Sequence, residues 1–246
     1  WYPIKRRLKS KIEDNKKRTT IGNNEYSRLI MKTFNHVGND LKDLKTENIE
    51  GKRFYVTPKG NKYVSITSLL GNLSKQSIIE WRRRVGEAEA NKISRQASSR
   101  GTRVHNICES YIKNQEGILE GVLPDAIDMF NSIVPLLDRI DNIHVAEGAL
   151  YSDDLGVAGR TDLIGEFDEK LSVIDYKTSR KKKTWEMCHA YFMQGAFYAH
   201  AYEELTGISI NDIVIIMAVE SDKPLLFRET KDRWIEPLKQ VITKYS

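Results

Sequence analysis

Within residues 156–183 two runs of alternating apolar and polar positions meet across a short acidic break. In the second run Val173, Asp175 and Lys177 alternate with Ile174, Tyr176 and Thr178, so a β-strand sets Asp175 and Lys177 on one face, roughly 7 Å apart. The first run, 157–167, has the same character, and a two-residue turn at Asp168-Glu169 pairs Phe167 with Lys170. Counting back along that register brings Asp162 opposite Asp175, with Cβ atoms about 5 Å apart. Two ionised carboxylates that close repel and call for a cation between them. A three-residue turn instead carries Asp162 to the other face unless a bulge restores it.

The flanking patterns predict what covers this hairpin. Residues 53–57 and 62–67 enclose the breaker-rich Pro58-Lys59-Gly60-Asn61 and read as a second hairpin. Helical spacing follows: a short helix at 68–70, then one over 77–85 with Trp81 on its apolar side and Ser77/Glu80 as a capping box. Another helix spans 87–96, Ser98-Ser99-Arg100-Gly101 breaks it, and 102–112 resumes with Val104, Ile107, Cys108 and Tyr111 buried and His105 and Glu109 sharing a face. Residues 124–140 form an apolar helix with a stripe of Ile127, Phe130, Val134 and Leu137, and 143–151 a strand carrying Glu147. Beyond the central hairpin come a covering helix over 185–205, strands over 212–219 and 225–228, and a helix over 231–245 interrupted near Pro237. Strands followed by covering helices make an α/β layer fold. Three parts are expected: a basic N-terminal arm or subdomain with a hairpin (1–62), a helical region (63–142) and a core (143–246), with 63–246 one compact unit.

Composition narrows the partners. With 40% hydrophobic residues in 246 the chain can bury a core, and no apolar run has the length of a membrane span. Lysine and arginine total 39 against 34 acids, for a net charge of +5, and they crowd at 5–17, Arg82-Arg83-Arg84 and Arg180-Lys181-Lys182-Lys183, a distribution suited to a polyanion. Any one such run also fits a solvated face. Two cysteines, Cys108 and Cys188, make no disulfide framework and no four-cysteine zinc or iron–sulfur site, which points to a reducing intracellular compartment. The chain starts at Trp1 with no signal-peptide core after it, so a trimmed protein is expected.

His105, Glu109, Glu147, Asp162, Asp175, Lys177, Gln194 and Tyr198 are polar residues on otherwise apolar elements, where polar groups need partners. Read structurally, the aspartates and Lys177 form a cross-strand ion-pair network, His105 alone is a core or cap histidine, and Gln194 and Tyr198, four apart, are a polar helix edge. Taken together and in order, Gly101-xxx-His105, Glu147, Gly159-xx-Asp162, Asp175-Tyr176-Lys177 and Gln194-xxx-Tyr198 resemble the RecB-like branch of the PD-(D/E)XK nucleases, and within it the mitochondrial genome maintenance exonuclease type and its phage relatives. The likeness runs from about residue 63 to the C-terminus.

The resemblance implies a restriction-endonuclease-like core, a central mixed β-sheet flanked by helices, with an additional N-terminal helical region that forms a channel for a DNA strand. It makes Asp162, Asp175 and Lys177 the catalytic core, with Gln194 and Glu147 beside them, and His105, Asp162, Asp175 and the Tyr176 carbonyl the ligands of Mg²⁺ or Mn²⁺. An imidazole ligand tilts that choice towards Mn²⁺. Tyr198, Arg100, Arg103, Arg180, Lys181, Lys182 and Lys183 become DNA contacts. The implied activity is metal-dependent exonucleolytic hydrolysis of DNA, on single strands or free ends, by a monomer without membrane association. A bacterial or phage-infected cytoplasm is favoured over a mitochondrial matrix. Two other readings stay open: a nucleic-acid-binding or assembly protein on a nuclease fold, and a structure-specific endonuclease.

Overall fold

The alternation that opens the sequence folds into the central hairpin of a mixed eight-stranded sheet. The structure is a computed structural model that describes residues 32–39 and 41–245, so the basic run at 5–17 lies outside the described residues. Two units divide the chain, Trp1–Thr33 and Phe34–Ser246, and the sheet and its helices belong to the second. In chain order these are β1 (Lys45–Ile49), β2 (Lys52–Val56), β3 (Lys62–Ser65), α1 (Ile66–Leu70), α2 (Lys75–Val85), α3 (Glu87–Ile112) and α4 (Pro124–Leu137). They continue with β4 (Ile140–Ser152), β5 (Val157–Phe167), β6 (Lys170–Ser179), α5 (His189–Thr206), β7 (Asp212–Val219), β8 (Leu225–Thr230) and α6 (Lys231–Tyr245).

The two-residue turn forms as expected. Asp168 and Glu169 have φ of 50° and 65°, the pair of positive values that lets a tight hairpin follow the strand twist, and Phe167 pairs with Lys170. The ladder runs back from there to Leu163 and Ile174 and stops one step short of the aspartates. On its other edge β5 pairs with β4 along its length. At its start, on the β6 side, Val157 and Ala158 pair in parallel with Val64 and Ser65 of β3. Residues 159–162 of β5 therefore lie between β3 and β6 with neither strand beside them, a gap in the middle of the sheet.

Two apolar layers close the sheet. β7 shows why: Ile213, Ile215, Met217 and Val219 belong to the core beneath α5 and α6, while Val214, Ile216 and Ala218 belong to the core beneath α3 and α4. A strand buried on both faces reads as a continuous apolar run, the pattern of 212–219. Each of these valine, isoleucine and methionine side chains contributes about 1.5–3 kcal/mol on burial. Among the described residues no helix is long and apolar enough to cross a membrane.

Several local expectations are corrected. α3 is one helix of 26 residues with no break at 98–101. Gly101 is helical because a Cβ there would stand 3.2 Å from Thr178 Oγ1 on β6, so close packing on the sheet overrides its low propensity. The Ser77/Glu80 capping box does not form: α2 begins at Lys75 after a 3₁₀ turn over Gly71–Ser74, and the Glu80 carboxylate accepts from Gln76 Nε2 at 2.8 Å. α2 buries no residue, Trp81 included. The buried stripe of α4 is Ala126, Met129, Phe130, Ile133 and Leu137, which leaves the expected Ile127 and Val134 half-buried at its margin. α6 runs through Pro237 without interruption, and β1 was not signalled by its exposed, polar sequence.

Candidate active site

Three carboxylates, one from each of three adjacent strands, converge at the gap in the sheet. The β4–β5 ladder pairs Ala146 with Leu163 and Gly148 with Thr161, and between those pairs the Glu147–Asp162 pair is missing. Asp162 is thus unpaired along both edges, opposite Glu147 on one side and Asp175 on the other. Freed from the ladder, its carboxylate takes over a backbone donor, accepting from the Tyr176 N–H at Oδ2, 2.9 Å. Lys177, two residues beyond Asp175, brings Nζ to 2.5 Å from Asp175 Oδ2.

α3 supplies the histidine. Its buried stripe of Val104, Ile107, Cys108 and Tyr111 forms as expected and fixes the helix on the sheet, which sets His105 Nε2 at 2.5 Å from Glu147 Oε1 and Nδ1 at 3.7 Å from Asp162 Oδ2. One donor atom from each of His105, Glu147 and Asp162 lies within 4.8 Å of the other two. Glu109, on the same helix face, pairs instead with Lys113 at 2.5 Å.

The electrostatics are those of buried like charges. Burial opposes the charge on His105, yet the hydrogen bond with Glu147 and the charges of Asp162, Glu147 and Asp175 raise its imidazole to about 9. Burial raises the Asp175 carboxyl to about 6 against the pull of Lys177. Asp162 is raised by burial too, opposed by Lys177 and His105. Lys177 is raised although burial works against it, because Asp175 and Asp162 hold the proton. Asp175 is only 3% exposed. Its Oδ2 is held by the Lys177 ammonium at 2.5 Å, and its Oδ1 has no hydrogen-bond partner. An orphaned carboxylate oxygen is costly to bury. With three carboxylates and one imidazole, the donor set fits a hard divalent cation.

Gln194 and Tyr198 approach from the opposite layer on α5. Gln194 Nε2 donates to the Tyr198 hydroxyl at 3.2 Å, and that hydroxyl donates to the Arg160 carbonyl at 2.6 Å, inside the gap of β5. Gly159 makes the approach possible, since a Cβ there would sit 2.7 Å from Ile66 and 3.0 Å from the Tyr198 ring. Tyr198, expected as a DNA contact, is 1% exposed, so it braces β5 and presents no ring face to solvent. Tyr176 gives its N–H to Asp162, and its buried ring meets that of His105 edge-on at 5.9 Å.

The expected basic residues divide. Arg100 Nη1 pairs with Glu220 at 3.0 Å and Arg103 Nη2 with Asp125 at 3.2 Å, so acids hold both guanidiniums. Lys182 pairs with Asp222 at 3.0 Å, and Lys183 donates to the Tyr191 hydroxyl at 2.6 Å. Arg180 and Lys181 are exposed. A cleft open to solvent is lined by Gly101, Thr102, His105, Asn106, Lys177 and Thr178. Sequence reasoning missed two residues. Tyr191, one turn before Gln194, has Lys177 Nζ at 5.2 Å and Lys183 Nζ at 4.7 Å from its ring centre. Arg160, two residues before Asp162 on the same strand face, donates from Nη1 to the Glu147 carbonyl and from Nη2 to Asp43 at 2.5 Å. Spacing alone could have flagged both, but not what they touch.

Several known proteins are similar to the region that carries these residues. Residues 128–212 match the family model described as the PD-(D/E)XK nuclease superfamily, a span that contains Glu147, Asp162, Asp175, Lys177, Gln194 and Tyr198. The chain is 32% identical over 83 residues to mitochondrial genome maintenance exonuclease 1 of Mus musculus, covering 34% of this chain and 25% of that protein. Against the Homo sapiens protein of the same name it is 28% identical over 130 residues, covering 48% and 37%. The matches thus span well under half the length of either relative. A solved structure of a candidate exonuclease from Eubacterium rectale superposes with a TM-score of 0.42 at 12% identity, over 60% of this chain and 64% of that one.

Proposed function

We propose, from the premise of the superfamily match over residues 128–212, that this chain is a divalent-metal-dependent DNA exonuclease that works on single strands from their free ends. The observation that carries the proposal is the grouping of His105, Glu147 and Asp162, with buried Asp175 and its partner Lys177 on the adjacent strand and Asp175 Oδ1 lacking a hydrogen bond. These side chains would hold Mg²⁺ or Mn²⁺, and the imidazole makes Mn²⁺ well suited. When bound, the cation supplies Lewis acidity towards a phosphodiester.

The remaining work falls to the chain itself. Lys177 keeps its proton at neutral pH, so its ammonium offers positive charge where negative charge grows on the phosphoryl oxygens. Its second neighbour, the Tyr191 ring, gives the ammonium a seat when Asp175 is otherwise engaged. Arg180 and Lys181, exposed just past the end of β6, hold the strand through its phosphates. Gln194 and Tyr198 keep β5 rigid from beneath.

Digestion of end-labelled single-stranded and duplex DNA, each with Mg²⁺ and with Mn²⁺, tests the reading. Linear single strands should be degraded and a closed single-stranded circle left intact. Cutting of the circle would make the protein an endonuclease, and tight, salt-sensitive binding without cleavage in either metal would make it a binding protein on a nuclease fold.

A further inference from the structure

We propose that Arg160 is a positioning residue of the metal site: its guanidinium holds the main chain of Glu147 in a left-handed conformation that aims the Glu147 carboxylate at His105 and Asp162. The inference rests on the metal-dependent reading above. Glu147 has φ of 57°, a region that costs a residue with a side chain about 1–2 kcal/mol. The neighbouring pairs Ala146–Leu163 and Gly148–Thr161 remain in register, so the distortion is confined to one residue. That residue is the one whose side chain enters the cluster. Strain held at a single functional position needs surroundings that over-determine it.

Arg160 provides them. Leaving the ladder deprives the Glu147 carbonyl of its strand partner, and a backbone acceptor at such a depth requires another donor. Arg160 Nη1 donates to it, while Nη2 is held by Asp43 at 2.5 Å. The backbone of Arg160 is fixed as well, paired with Ala149 and capped at its carbonyl by the Tyr198 hydroxyl at 2.6 Å. A continuous chain of contacts then runs from Gln194 through Tyr198, Arg160 and Glu147 to His105, joining α5 to α3 across the gap in the sheet. The guanidinium is spent on a neutral carbonyl and a distant carboxylate, so it does not neutralise the Glu147 side chain. A planar fork reaches two acceptors on separate segments, which a lysine cannot do with the same geometry.

The test is a double-mutant cycle on Mn²⁺ affinity, read by electron paramagnetic resonance of the free ion with no DNA present. Arg160→Met should weaken Mn²⁺ binding by about 10-fold or more, the usual loss when support for a ligand is removed. Arg160→Lys should fall between it and the wild type. In a Glu147→Gln background Arg160→Met should cause no further loss, because its effect passes through Glu147. DNA affinity in EDTA should not change. Wild-type Mn²⁺ affinity in Arg160→Met, or its full loss added on top of Glu147→Gln, would overturn the proposal. Weakened DNA binding in EDTA with Mn²⁺ affinity intact would make Arg160 a phosphate contact instead. If the methionine variant does not fold by circular dichroism, Arg160→Lys carries the same cycle. A wild-type protein that binds no Mn²⁺ removes the metal-dependent reading itself, and this inference with it.

Discussion

Asp175 and Lys177 state the problem of the site at the scale of single residues. A carboxylate this deep would ordinarily be satisfied at both oxygens, and here only Oδ2 has a partner, the Lys177 ammonium. Burial lifts its carboxyl to about 6, the direction expected when desolvation outweighs an ion pair. Groups perturbed in this way cluster where chemistry is done. If Lys177 stabilises developing charge, Lys177→Ala should lower kcat by about 10²–10⁴-fold with KM for single-stranded DNA little changed. Steady-state digestion of a labelled strand measures it, and a rise in KM at unchanged kcat would reduce Lys177 to a binding residue. The pairing of Asp175 with Lys177 was legible from strand period alone. His105 needed the company of the other motifs, since a histidine on an apolar helix face has bland explanations. Spacing could have flagged Arg160, but its role was not legible, because that role lies in a contact with a carbonyl.

At the scale of elements, the β5–β6 turn sets the register on which the site depends. Asp168 is clamped there by Arg139, which reaches in from the end of α4 with Nε at 2.9 Å, and by Arg228 of β8. Both guanidiniums also lie over the Phe167 ring. The hydrogen bond from Arg139, opposed by desolvation and reinforced by the hydrogen bond from Arg228, holds the Asp168 carboxyl down to about 2. Its folded value is below its unfolded one, so the stabilisation is complete above the unfolded value of 3.8 and is lost as pH falls towards 2. Asp168→Asn, which keeps a residue tolerant of positive φ, should therefore lower the urea midpoint at pH 6, with the difference from the wild type shrinking as pH falls and vanishing only below pH 2. Because the clamp is largely solvent-exposed, the difference should be modest. Equal midpoints at pH 6 would remove the clamp from the account. The two-residue turn was readable from Asp168-Glu169, whereas the unbroken α3 was not. Its Ser98-Ser99-Arg100-Gly101 carries the local signature of a break, and only the closeness of Thr178 explains a glycine inside the helix.

The whole molecule adds charge distribution. A net charge of +5 is mild, and among the described basic residues many are already engaged: Arg100 with Glu220, Arg103 with Asp125, Lys182 with Asp222. Arg180 and Lys181 are exposed just beyond the end of β6, three and four residues after Lys177. Each phosphate contact on a single strand contributes about 0.7 to the slope of log K against log salt. Arg180→Ala/Lys181→Ala should thus reduce that slope by about 1.4 for a labelled oligonucleotide in EDTA. An unchanged slope would place the strand elsewhere.

The sequence by itself determined the register of the central hairpin, the burial of β7 on both faces, the apolar stripe that seats α3, and the list of polar residues that had no business on apolar elements. All of these follow from local periodicity and turn chemistry, which a chain carries within a few residues. Only the tertiary structure decided that β3 and β6 share one edge of β5 and leave 159–162 between them. Only there could Asp162 leave both ladders, Glu147 adopt a left-handed backbone, and Tyr198 and Arg160 meet in the space that remained. The physical reason is that a gap in a sheet depends on where distant strands end, and nothing in the residues flanking it encodes that.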